Sequence, residues 1–146
     1  MRAVVQRVSS ASVTVDKNVC GKINKGLLVL LAVTNSDTSE IMKWMCNKLV
    51  NLRIFPDDEN KMNKSVLDCK GEILLISNFT LYGDTRKGFR PSFVAAAAPD
   101  KAEPMYNEML SYLKENYPIK IESGVFGAMM EVQLVNEGPV TLIIEK

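Results

Sequence analysis

Ser77-Asn78-Phe79-Thr80-Leu81 places two hydroxyls and an amide at the end of an apolar run that begins at Ile73. The chain contains no histidine, so the commonest general base and the commonest metal ligand are both missing. A hydroxyl nucleophile needs an adjacent base, and no carboxylate lies between Ser77 and Leu81. On residue type alone, Ser77 and Thr80 are weak candidates for attack and fit ordinary strand-end hydroxyls. The same stretch has a geometric use. Backbone N–H groups at a strand end can receive a developing oxyanion, a contribution of about 2.7–4 kcal/mol per donor. Directly after it, Tyr82 to Pro91 carries two glycines, a proline and the cations Arg86, Lys87 and Arg90, which is the composition of an exposed loop. Strand end and cationic loop together point to a small reactive site beside a phosphate-bearing ligand.

Elements able to position such a site follow from the patterning. Glu72 to Leu81 has the continuous apolar character of a strand covered on both faces, and Leu27 to Val33 matches it. Ala3 to Val8, Ala11 to Val15 and Val19 to Ile23 have strand composition, with Asp16-Lys17-Asn18 as a turn. Asp37 and Glu40 stand as the cap and third residue of a helix whose apolar stripe is Ile41, Trp44, Met45, Leu49 and Leu52. Arg53 to Phe55 resumes extended structure, and Pro56 to Asn60 is a solvated acidic turn without a Ca²⁺-loop spacing. Ala102 to Tyr117 marks a second amphipathic helix, in which Pro104 is tolerable only in the first turn. Lys120 to Val125, Ala128 to Val135 and Val140 to Glu145 read as three further strands, the last two joined by a turn at Asn136-Glu137-Gly138-Pro139. The order is βββ-α-ββ-α-βββ. It implies a single α/β domain over residues 1–146, with mixed β-sheets and two helices packed on one face, a layered α/β/β architecture.

Composition narrows the function classes. With 146 residues, 47% hydrophobic and 24% charged, the chain suits one domain with a real core. No apolar run approaches the roughly 20 residues of a membrane span, and Met1-Arg2-Ala3-Val4 starts strand-like material without a signal-peptide pattern. A cytoplasmic protein is expected, with no membrane partner. Cys20, Cys46 and Cys69 form no CxxC pair and are read as buried or reduced thiols, without disulfide or zinc. The net charge of +1 makes the molecule no general magnet for nucleic acid, so DNA is not an expected partner and any RNA contact must be local.

Four ordered motifs carry a resemblance: Ser77 to Leu81; Asp84-Thr85-Arg86-Lys87-Gly88; Arg90-Pro91-Ser92-Phe93; and Asn136-Glu137-Gly138-Pro139-Val140-Thr141. They resemble the D-aminoacyl-tRNA deacylases, often named D-tyrosyl-tRNA deacylases. Met1 to Val8 and Lys61 to Val66 resemble that family too, so the match spans nearly the whole chain. Asn78 stands where the family has glutamine, keeping the amide and shortening its reach by one methylene. The resemblance implies hydrolysis of the ester joining a D-amino acid to the terminal ribose of tRNA, with activity also on glycine mischarged onto alanine tRNA. It further implies a homodimer without metal or cofactor. Catalysis would centre on Ser77, Asn78, Phe79 and Thr80. On sequence alone Gly138-Pro139 would be trans, since cis occurs in about 5–6% of X–Pro bonds. The resemblance instead implies a cis bond entering the partner subunit's site, where it excludes L side chains. Arg7, alone just a strand arginine, would hold that motif. Phe126 and Met130 would border the substrate, although core packing fits them equally. Phe89 and Arg90 would meet the terminal adenosine by stacking and phosphate contact, or else form an exposed loop tip. A non-catalytic binder of RNA 3′ ends with this fold is the alternative, and an unrelated small-molecule esterase would need a nucleophile–base pair that the sequence does not display.

Overall fold

The computed structural model describes residues 1–146. Its longest strands, β1 (Arg2–Val15) and β8 (Glu131–Glu145), run antiparallel along nearly their whole length. On its other edge β1 pairs first with β3 (Gly26–Ala32) and then with β2 (Asn18–Ile23). Next to β3 comes β6 (Glu72–Ser77), and then β7 (Ile121–Ser123), all three parallel. Two very short strands, β4 (Phe55–Pro56) and β5 (Met62–Lys64), form a separate hairpin under the acidic turn.

Helices α1 (Ser39–Asn51) and α2 (Pro99–Asn116) cover one face of the sheet, and a cluster of 24 buried residues fills the space between them. The opposite face carries a second, seven-residue core of Val8, Ala11, Val13, Ile23, Leu28, Leu74 and Ile76. Irregular register between Gln6 and Ser10 bends β1, so Ala3 and Val5 face the helices while Val8, Ala11 and Val13 face the second core. β2 and the distal halves of β1 and β8 thereby fold over β6 and β7. Gly21 marks how close this layer lies: a Cβ there would sit 2.8 Å from the Ser123 carbonyl oxygen. The layered α/β/β arrangement is the one expected from the sequence.

Several boundaries differ from the patterning. Ala3–Val8 and Ala11–Val15 are one strand because β8 pairs across the gap. Glu131–Val135 and Val140–Glu145 likewise belong to a single β8, while Ala128 to Met130 stay outside it as loop, and Asn136–Pro139 is no hairpin turn. β6 stops at Ser77, where the chain leaves the ladder for a 3₁₀ turn (Phe79–Tyr82). Thr38, not Asp37, caps α1, its Oγ1 accepting from the Ile41 N–H. Asp37 is buried and committed elsewhere, accepting from the Thr34 N–H and pairing with the Met1 amine. The α1 stripe centres on Met42, Met45, Cys46, Leu49 and Val50, with Ile41, Trp44 and Leu52 at its margin. α2 begins at Pro99, so Pro104 falls in its second turn. It sits on the exposed side, where the carbonyl it leaves unpaired can reach water. The thiols are free; Cys46 is buried, with its pKa pushed up to about 12 by that burial, whereas Cys20 is exposed. No helix is long and apolar enough to cross a membrane.

Candidate active site

The parallel strands β3 and β6 end side by side, and open α/β sheets bind ligands beyond the carboxyl ends of such strands. A cavity of about 670 Å³ lies there. Ser77, Asn78 and Phe79 form one wall; Ala96 to Pro99, leading into α2, form a second; Phe126 to Met130 form a third. Of its 21 lining residues 17 are hydrophobic, so polar groups inside it act in a poorly solvated space. Tyr106 is the one titratable side chain among them. Its hydroxyl donates to the Leu75 carbonyl at 2.8 Å, and burial raises its pKa above the ordinary phenol value. That group is a structural donor rather than a base.

The strand end is held through its backbone. Asn78 N–H donates to the Leu31 carbonyl at 2.7 Å, and the turn then closes with Leu81 N–H to the Asn78 carbonyl at 3.2 Å and Gly83 N–H to the Thr80 carbonyl at 2.9 Å. The N–H groups of Phe79 and Thr80 precede the first bond of the turn, and no side chain caps them. They are two adjacent donors without acceptors, Phe79 in the cavity wall and Thr80 next to it. The Asn78 side chain turns to Thr80, its Oδ1 accepting from the Thr80 hydroxyl at 2.5 Å. Phe79 is more than half exposed and packs edge-on against Phe93, with ring centroids 5.1 Å apart.

Beyond the turn, Asp84 and Ser92 exchange two backbone hydrogen bonds and close the cationic loop. Arg86 folds back onto Asp84, its Nη2 2.6 Å from Oδ2 and its Nε 2.9 Å from Oδ1. This hydrogen-bonded guanidinium lowers the Asp84 pKa to about 2. Arg86 is thus internally compensated, which the sequence reading of three equivalent cations did not anticipate. Lys87, Phe89 and Arg90 project at the loop tip, and Phe89 is fully exposed.

Gly138 and Pro139 belong to a separate cluster. Between the pairs Gln6–Thr141 and Val8–Asn136, the four residues Glu137 to Val140 face the single residue Arg7. Side chains replace the interrupted ladder: Arg7 Nε donates to the Glu137 carbonyl, its Nη1 to the Ile54 carbonyl, and Asn136 Nδ2 to the carbonyls of Arg7 and Val140. The Gly138–Pro139 peptide is cis, and both residues are exposed. They do not line the cavity of their own chain.

The structure therefore brings Ser77, Asn78, Phe79, Phe126 and Met130 around one cavity, sets Thr80 beside it through Asn78, and leaves Phe89, Arg90, Arg7, Gly138 and Pro139 outside it. Sequence reading missed Tyr106, assigned only to a helix stripe, and the wall at Ala96 to Pro99. The run Ala95 to Ala98 before a proline was its one visible signal, small side chains leaving room beside a strand end.

A family described as D-Tyr-tRNA(Tyr) deacylase matches residues 4–145. A D-aminoacyl-tRNA deacylase of Petrotoga mobilis is 56% identical over 99% of this chain and 97% of its own length. One of Clostridium botulinum is also 56% identical, with the same coverage. Among solved structures, a c-Myc DNA unwinding element binding protein superimposes with a TM-score of 0.95 at 42% identity, covering 100% of this chain and 99% of the other. A probable eukaryotic D-amino acid tRNA deacylase shares the fold, with a TM-score of 0.82 at 20% identity over 98% and 97% of the two chains. The chain belongs to the D-aminoacyl-tRNA deacylase family, enzymes that act on aminoacyl-tRNA.

Proposed function

We propose that the protein hydrolyses D-aminoacyl-tRNA by presenting the ester carbonyl to the N–H groups of Phe79 and Thr80, with no protein side chain acting as base. One observation carries this reading: the cavity's single titratable side chain is a neutral, hydrogen-bonded tyrosine, while two backbone donors beside it lack acceptors. Water attacks the ester carbon. The negative charge that develops on the carbonyl oxygen is received by the two N–H groups, and the neighbouring ribose 2′-hydroxyl relays the proton to the departing 3′-oxygen. The free amino acid and intact tRNA result.

Selectivity belongs to Gly138-Pro139 of a second copy. These residues are exposed, are braced by Arg7, and stand outside their own cavity, as expected of a wall supplied across a dimer. β8 supports that assembly, since it pairs only on its β1 side and exposes Leu142 and Ile143. A rigid backbone wall against the α-carbon excludes L side chains and admits D residues and glycine, so glycine mischarged onto alanine tRNA is a second substrate. Lys87, Phe89 and Arg90 hold the RNA 3′ end. The protein works in the cytoplasm, needs no cofactor, and serves proofreading in translation.

Incubating the purified protein with D-tyrosyl-tRNA and L-tyrosyl-tRNA tests the reaction. Release of D-tyrosine alone is expected; binding of both without release means a non-catalytic RNA-end binder. For the mechanism, Thr80→Ala should retain activity, whereas a tRNA ending in 2′-deoxyadenosine should lose most of it. An aminoacyl ester trapped on Thr80 would restore the nucleophile reading.

A further inference from the structure

We infer that Arg2 is a positioning residue for the reaction, clamping the 3₁₀ turn that carries the Phe79 and Thr80 N–H groups. The inference rests on the backbone-donor reading above. Arg2 opens β1 opposite Ala32 at the end of β3 and Glu145 at the end of β8. From there its side chain reaches the turn that continues β6. Nη1 donates to the Leu81 carbonyl at 2.7 Å, inside the turn itself. Nη2 is held by both Glu145 carboxylate oxygens, at 2.9 and 3.0 Å, and the guanidinium carbon lies 4.7 Å from the centre of the Tyr82 ring. Nε is buried without a hydrogen-bond partner, so the arginine is drawn into this place at a cost that the three other contacts offset.

The consequence is mechanical. Leu81 N–H already bonds the Asn78 carbonyl, and Gly83 N–H bonds that of Thr80, so the peptide whose carbonyl Arg2 grips lies between two peptides that are bonded to the donor segment. Glu145 fixes the guanidinium plane and Tyr82 supports it from one side, which a point charge such as lysine cannot reproduce. A 3₁₀ turn of four residues has weak hydrogen-bond geometry of its own, and preorganised donors are effective only when they need no rearrangement.

The test compares wild type with Arg2→Ala, Arg2→Lys and Glu145→Gln. For D-tyrosyl-tRNA, Arg2→Ala should lower kcat by about 10- to 100-fold, the scale of a slight misplacement of reacting groups, with KM within about twofold. Arg2→Lys should recover part of that loss, because an ammonium can still donate to the Leu81 carbonyl. Glu145→Gln should fall between wild type and Arg2→Ala. Hydrogen exchange gives a readout independent of activity: the Leu81 and Gly83 amides should exchange about tenfold faster in Arg2→Ala while amides of β3 and β6 are unchanged. Wild-type kcat in Arg2→Ala, or unaltered exchange at Leu81 and Gly83, overturns the inference. Should Arg2→Ala not fold, Arg2→Lys decides it by the same two measurements. A wild-type protein that leaves D-tyrosyl-tRNA intact removes the hydrolase reading instead, and the exchange rates then decide on Arg2 alone.

Discussion

Tyr106→Phe separates catalysis by backbone donors from catalysis by a hidden side chain. Tyr106 is only 2% exposed, and its hydroxyl donates to a Leu75 carbonyl that also receives the Gly124 N–H at 3.1 Å. Removing the hydroxyl therefore leaves the acceptor with a partner. The cost should be that of one neutral hydrogen bond, about 0.5–1.5 kcal/mol, without the larger penalty of an orphaned carbonyl. For a chain of this length the melting temperature should fall by about 2–5 °C. The ring itself stays, and with it the contact to Phe126, whose centroid is 5.8 Å away. Because burial raises the phenol pKa, the group is protonated throughout the neutral range and cannot accept a proton there. The pH–rate profile of the variant should thus follow wild type between about pH 6 and 9. Deacylation of D-tyrosyl-tRNA, followed as release of free tyrosine, should keep kcat/KM within about twofold, whereas loss of a general base or acid would cost about 10²–10⁴. A fall of that size in a variant that melts as expected would refute the backbone account and make Tyr106 catalytic.

Two further predictions concern the groups outside the cavity. Gly138 has φ +129°, and a Cβ there would lie 2.7 Å from Val140 Cγ2 and 3.0 Å from Arg7 Nη2. Gly138→Ala should cost about 1–3 kcal/mol in thermal unfolding and abolish discrimination between D- and L-tyrosyl-tRNA; unchanged melting and selectivity would remove its assigned role. At the loop tip, changing Lys87 and Arg90 together to glutamine should lower the salt slope of tRNA binding by roughly 1.4, two contacts to a single strand, while Arg86→Gln should leave it nearly unchanged. Equal slopes for the two variants would contradict the pairing of Arg86 with Asp84.

Local signals in the chain gave the layers but not the connections between them. β3 and β6 were legible because strands buried on both faces read as continuous apolar runs, and both helices were legible from their stripes. β1 and β8 were each read as two strands, since their continuity depends on pairing with one another across more than a hundred residues. A bulge of four residues against one carries no local pattern distinct from a turn; Asn136-Glu137-Gly138-Pro139 has turn composition, and only the carbonyls it meets on Arg7 and Val140 show that it lies within a strand. The cap of α1 moved to Thr38 for a related reason, because a distant partner had already claimed Asp37.

The site was legible to the degree that it consists of side chains. Phe126, Met130 and the segment Ser77 to Phe79 do meet at the cavity, yet residue types alone left them as core packing and strand-end hydroxyls. Their groups of greatest chemical interest are main-chain N–H groups, which every residue but proline possesses, so no residue type announces them. What the sequence can encode is the set of neighbours that leaves two of these donors unpaired. The Leu31 carbonyl takes the Asn78 N–H, the Asn78 carbonyl takes that of Leu81, and Arg2 holds the far side of the turn. Each is a long-range or turn-specific relation. On the proposed reading a chain without histidine supports ester hydrolysis, because the specificity of such a site lies in where the backbone is held rather than in which side chains are present.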